Sequence, residues 1–180
     1  MINLILIINL LIIPPDYNYT IDFGQNKNGE DWVVVVDGVM GGLSTSSSLL
    51  SENTIHFKGN ISLENNGGFA ALRGPKNNMD YSAYSNLEIR YRSKGQAFGI
   101  RFLKWDQFFM PYLKKTFDET SWEWKTVNVS LNEFKEYILN NERDKKIDAN
   151  DFDDISRLGI IVSNKKEGDF ELEIDYIKLN

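Results

Sequence analysis

A single histidine, His56, and no cysteine narrow the chemistry this chain can do. A serine nucleophile needs a histidine base oriented by a carboxylate, so any triad would have to pass through His56. His56 lies in the segment Thr54 to Glu64, where it shares parity with Lys58 and Asn60 while Ile55, Phe57, Ile61 and Leu63 take the other. That places it on the polar face of a strand, as a solvated histidine, and no catalytic residue is assigned. Zinc held by His and Cys is excluded by count, which leaves oxygen ligands and hence calcium as the natural metal. The acidic run from Asp148 to Asp154 fails the helix-loop-helix calcium template, because Phe152 stands where a ligand belongs and Asp153 where glycine belongs. It is read as a solvated acidic turn and no metal ligand is assigned; a structural calcium between separate loops stays compatible with the composition. Glycoside hydrolysis by two carboxylates needs a separation that exists only in three dimensions, and the sequence singles out no pair.

Two features speak for binding. The stretch DGVMGGLS, Asp37 to Ser44, follows the apolar run Trp32 to Val36 and holds Gly38, Gly41 and Gly42. Its glycine spacing does not match the dinucleotide fingerprint and no long helix follows, so it is no phosphate cradle. The expectation is structural: Gly41 and Gly42 turn the chain sharply out of a central strand, and Met40 packs inward beneath the turn. A second motif, Asn66, Gly67, Gly68 and Phe69, leads to Arg73, and a pairing of Asp37 with Arg73 is expected because both flank paired glycines. The other feature is aromatic. Trp105, Phe108, Phe109 and Tyr112 fall in a stretch without alternation, and Trp122 follows nearby; such rings stack on sugars or anchor a protein interface. The alternative is that they are large core residues.

The elements that must position these groups are strands. Besides Thr54 to Glu64, alternation marks Leu87 to Arg92 and Phe98 to Phe102, read as a hairpin about Lys94 to Gln96. It also marks Thr126 to Leu131 and Phe170 to Tyr176, the latter with Phe170, Leu172, Ile174 and Tyr176 on one face. Val33 to Val36 and Leu158 to Val162 are apolar on both parities and read as central strands. Helix signals are confined to short turns capped by Asn132 and Asp151. Many short strands without long alternating helices point to an all-β sandwich or jelly roll. The balance of 20 basic and 26 acidic residues gives a net charge of −6, so a nucleic-acid backbone would meet net repulsion. Met1 to Pro15 is apolar but shorter than the ~20 residues a membrane-spanning helix needs, so no transmembrane anchor is expected. Residues 1–16 read as a leader or N-terminal arm, favouring export, although no Lys or Arg precedes the apolar core. A single domain is expected over residues 17–180.

Trp32 with DGVMGGLS, then FKGNISLENNGGFAALR, Trp124 ahead of VNVSLNEF, and LGIIVSN with FELEIDYIKL together resemble the complex I intermediate-associated protein 30 domain family, from about Phe23 to Leu179. The resemblance implies a galactose-binding-like jelly-roll β-sandwich and a non-enzymatic binding or assembly-factor role with a protein partner. It marks Trp32, Asp37, Gly38, Met40, Gly41, Gly42, Ser44, Asn66, Gly67, Gly68, Phe69 and Arg73 as motif positions. The apolar leader is unlike a basic, Ser-rich transit peptide, so a bacterial relative is expected. A carbohydrate-binding module of the cell envelope is the alternative.

Overall fold

The computed structural model describes residues 18–180 except residue 26. The leader-like segment, residues 1–16, lies outside the described residues. The described chain is an all-β sandwich of jelly-roll type with antiparallel pairing throughout its two sheets. The six-stranded sheet runs β3 (Thr45–Leu50), β4 (Ile55–Ile61), β13 (Gly168–Leu179), β6 (Asn86–Lys94), β9 (Lys125–Ser130), and β1 (Tyr19–Asp22) pairs with the far half of β13. The seven-stranded sheet runs β11 (Asn141–Glu142), β10 (Lys135–Ile138), β8 (Tyr112–Phe117), β7 (Phe98–Leu103), β12 (Arg157–Val162), β5 (Ala70–Arg73), β2 (Val33–Val36).

Alternation builds the core between them. Ile55, Phe57 and Ile61 from β4 and Leu87, Ile89 and Tyr91 from β6 meet Phe98, Ile100 and Phe102 from β7 and Leu158, Ile160 and Val162 from β12. The two short turns are 3-10 rather than α: Ser130 caps Leu131–Glu133, and Asp148 caps Ala149–Phe152. The caps are therefore Ser130 and Asp148, not the expected Asn132 and Asp151. The side-chain acceptor sits two residues before the N–H it receives, and Asp151 is the partner that reaches back to Asp148.

Three other expectations change. The segments around Lys94 to Gln96 are not a hairpin, because β6 and β7 belong to different sheets and the chain crosses the sandwich there. Gly95 takes φ +89°, Gln96 donates to the Gly168 carbonyl at 2.9 Å, and Tyr91 meets Phe98 edge-on at 4.9 Å across the core. Alternation says which side chains point inward; it does not say which strand lies alongside. In β13 the register slips between Ile174 and Tyr176, so the buried face continues through Ile177 and Leu179 while Tyr176 turns outward to donate to Glu88. β2 is an edge strand, with Val33 60% exposed, whereas β12 is central as expected.

Candidate functional site

The two glycine motifs meet on one carboxylate. Asp37 opens a 3-10 turn, Asp37–Met40, and its buried side chain accepts four hydrogen bonds. Oδ1 takes the Ser44 amide at 3.0 Å, and Oδ2 takes the Ser44 hydroxyl at 2.6 Å and the Gly68 and Phe69 amides at 2.6 and 3.1 Å. Burial alone would raise its pKa, but these bonds outweigh it and hold the carboxyl below the ordinary 3.8. The glycines clear the space: a Cβ on Gly42 would lie 2.4 Å from the Asp37 carboxyl carbon, and one on Gly67 would lie 2.7 Å from Oδ2. Gly41 supplies φ +90° at the end of the turn. Asp37, not Met40, is the residue drawn inward, and Met40 is 61% exposed. The expected Asp37–Arg73 pair does not form, because β2 aligns Val36 with Ala70 and Val33 with Arg73, putting Arg73 at the opposite end of the strand. Around the corner, Gly38 and Asn66 are solvent-facing, Phe69 is half-buried, and Trp32 packs edge-on against Phe23 at 5.1 Å in the core. The corner fastens β2 and β3 to the turn before β5, with every oxygen of its carboxylate engaged.

The aromatic candidates separate. Trp105, Phe108 and Phe109 are exposed on the loop between β7 and β8, and Asp106 within that loop meets Arg157 at 3.0 Å and Lys76 at 3.1 Å. Tyr112 starts β8, stacks on Tyr137 at 5.9 Å with ring planes 18° apart, and donates to Asn140. Trp122 lies elsewhere, against the outer face of the six-stranded sheet, with Arg92 and Lys94 over its ring at 4.6 and 4.7 Å and His56 beside it at 5.9 Å.

The two outer faces differ in how their charges are arranged. On the six-stranded sheet opposite charges alternate in register: Lys58, Glu171 and Lys94 form one row, and His56, Glu173 and Arg92 the next. Ion pairs close the ladder, with Arg92 to Glu173, Lys94 to Glu171 and Arg90 to Asp175, and the His56 Nε2 is 2.8 Å from Glu171. On the seven-stranded sheet the middle row reads Val33, Arg73, Gly159, Arg101, Lys114, Lys135 across six strands. The row on one side is Arg157, Leu103, Tyr112, Tyr137, Glu142; on the other it is Val35, Ala71, Ile161, Gly99, Thr116. Like charges directly across a sheet destabilise it, so this row has no evident role in holding the sheet together. Ala71, Leu103, Tyr112, Ile161 and Arg101 face away from the core yet are buried. Arg101 is 8% exposed, and neither its Nε nor its Nη2 has a partner; its nearest aromatic is Tyr112, 5.4 Å below the guanidinium. Burial, aided by the charge of Arg73, pushes its pKa down to about 10 despite the opposing influence of Tyr112. Lys114 is lowered likewise by burial and by Arg101, with its Nζ 4.1 Å from the Tyr137 ring. Sequence reasoning missed these cations; the available signal was a charged residue on one parity of runs otherwise apolar, as in FGIRFL.

Among the described residues no group of three potential His, Cys, Asp or Glu ligands gathers for a metal. The acidic run is spent locally: Asp148 and Asp151 form a capping box, Asp151 also meets Lys145 at 2.5 Å, and Asp153 pairs with Lys104.

In fold the domain is a galactose-binding-like sandwich of the kind found in carbohydrate-binding modules. It superposes on the family 11 module of a cellulosomal cellulase of Clostridium thermocellum with a TM-score of 0.63 at 14% identity, covering 91% of this chain and 94% of that one. The same family bound to a β-1,3-1,4-mixed-linked tetrasaccharide gives 0.57 at 15% identity, over 89% and 94%. An agarase gives 0.59 at 11% identity, over 91% of this chain and 24% of that one. Comparison with curated proteins gives no match. By sequence the chain belongs to the complex I intermediate-associated protein 30 family, whose profile matches residues 21–174.

Proposed function

We propose that this domain is a non-catalytic binding module that takes a glycan on the outer face of the seven-stranded sheet. The observation that carries the reading is the outer face of this sheet, where a row bearing Tyr112 and Tyr137 runs beside a row of cations, Arg101 among them with buried N–H donors unpartnered. Sugars present ring faces to stack on aromatics and hydroxyl oxygens to accept from such donors. The likeness to carbohydrate-binding modules supports this reading without supplying its ligand. The test is a thermal-shift and calorimetry panel of neutral and acidic oligosaccharides. A ligand at 100 times its Kd stabilises by ~2.7 kcal/mol, which at this size raises Tm by roughly 5–10 °C. Tyr137→Ala abolishes the shift, whereas Lys58→Ala on the other sheet leaves it intact. A flat response across the panel overturns the proposal.

One observation favours a second reading, that of a protein-binding assembly factor. Trp105, Phe108 and Phe109 are 42%, 63% and 54% exposed on one loop, an apolar projection suited to a partner pocket. Under this reading a Phe108→Ser, Phe109→Ser double variant loses a partner that the unmodified domain retains in native extract, while glycan binding is unaffected. Retention of every such partner by the double variant refutes it.

A further inference from the structure

The row of cations has a gap at its centre. Gly159 is the register partner of both Arg73 on β5 and Arg101 on β7, so the two arginines flank a position without a side chain. Two strand spacings set their backbones about 10 Å apart, and both side chains are long enough to reach over the gap from either side. Arg157 is two residues along β12 on the same face, completing a trio of guanidinium groups around Gly159. Their donors are only partly consumed by the protein. Nε of Arg73, Nε of Arg157, and Nε and Nη2 of Arg101 are buried without partners among the described residues. Arg157 donates through Nη1 to the Gly74 carbonyl at 3.4 Å and meets Asp106 through Nη2 at 3.0 Å, and the carboxylates of the neighbouring row are confined to Glu142 at the far edge. A buried cation without a partner is expensive, and Arg101 at the centre of the trio is one, 8% exposed with Nε and Nη2 unpartnered. A carboxylate seated over Gly159 would remove that cost, since its two oxygens match the planar donor fork of arginine.

Resting on the glycan reading above, we infer that the ligand is an acidic glycan and that the carboxylate of a uronic acid residue seats over Gly159 between Arg73 and Arg101, with Arg157 at its side. The adjoining tyrosine row then takes the neighbouring sugar. Gly159 is required because a side chain would fill the seat. A Cβ there would lie 3.9 Å from Nη2 of Arg101 and otherwise in ordinary contact, 3.4 Å from the Leu72 carbonyl and 3.6 Å from Leu103. The backbone therefore accepts Gly159→Ala without a clash.

The experiment compares affinities for oligogalacturonate, glucuronate-bearing xylo-oligosaccharide and oligomannuronate with their carboxyl-reduced counterparts, at low and high salt. For at least one pair the acidic probe binds tenfold or more tightly, and that advantage shrinks at high salt as screening requires. Gly159→Ala and Arg73→Gln each remove the advantage, whereas Lys58→Ala on the other sheet leaves it intact; circular dichroism and Tm confirm that all three variants fold. Equal affinity for acidic and reduced members of every pair overturns the carboxylate seat and leaves the glycan reading standing. An acidic preference that survives both variants also overturns it, placing the contact elsewhere. Absence of binding to every probe overturns both.

Discussion

Asp37→Asn tests whether the glycine corner is a hydrogen-bonded clasp. The carboxylate accepts from three amides and one hydroxyl at 2.6 to 3.1 Å, in a site with almost no solvent. Asparagine at best keeps its oxygen at the Oδ2 position and turns its NH2 toward the Ser44 amide, itself a donor, so one bond is lost and the other three lose their charged acceptor. Hydrogen bonds to a charged group contribute ~1.5–3 kcal/mol each, which puts the loss at about 3 kcal/mol. Against a typical total of ~5–15 kcal/mol that is a large fraction. Urea unfolding followed by tryptophan fluorescence reads it as a fall in midpoint of roughly 1–3 M at unchanged slope. Acid provides a second signature. The native pKa of Asp37 lies below its unfolded value of 3.8, so its stabilisation is complete above that pH and is lost as pH falls through the native pKa. The gap between the unmodified protein and the variant therefore narrows below pH 3.8. A loss under about 1 kcal/mol, or a gap that persists in acid, refutes the clasp.

Two further outcomes follow from the same geometry. Gly42→Ala destabilises by ~1–3 kcal/mol because its Cβ meets the carboxylate and the Cβ of Asp37, and most of that cost disappears in an Asp37→Gly background, which removes both. Gly41→Ala costs about 1–2 kcal/mol from its positive φ alone and adds independently in the same cycle, since nothing lies within 4 Å of its Cβ. Arg101→Met removes an unpartnered buried cation, so without ligand its Tm equals or exceeds that of the unmodified protein. A drop in Tm of more than a few degrees on Arg101→Met shows that the guanidinium holds the sheet together instead.

Much of the sandwich was legible because alternation survives in single strands. Ile55, Phe57 and Ile61 point inward as their parity demands, and Leu158 to Val162 lies in mid-sheet as its unbroken apolar run suggests. Val33 to Val36 has the same composition and sits at an edge, with Val34 and Val36 packed against the core and Val33 exposed. Local pattern also misplaced Tyr176, since a bulge inverts parity without leaving a mark in the sequence. The glycine motifs announced a junction correctly, but its chemistry lay in the Asp37 carboxylate meeting backbone amides, which no side-chain pairing rule anticipates. Arg73, Arg101 and Arg157 were invisible as a group. They come from three strands, and only the register of β5, β12 and β7 brings them around one glycine.

The place of β13 in its sheet governs the order in which the domain can be assembled. It forms ladders with β1, β4 and β6, three strands encoded far upstream, and it is the last strand of the described chain to leave the ribosome. Until residue 179 emerges, β4 and β6 each present a row of unpaired amides and carbonyls along a wet, open edge. The nascent domain is thus a sheet with its keystone missing, slow to close because its pairings are distant in sequence and prone to find strands of other chains meanwhile.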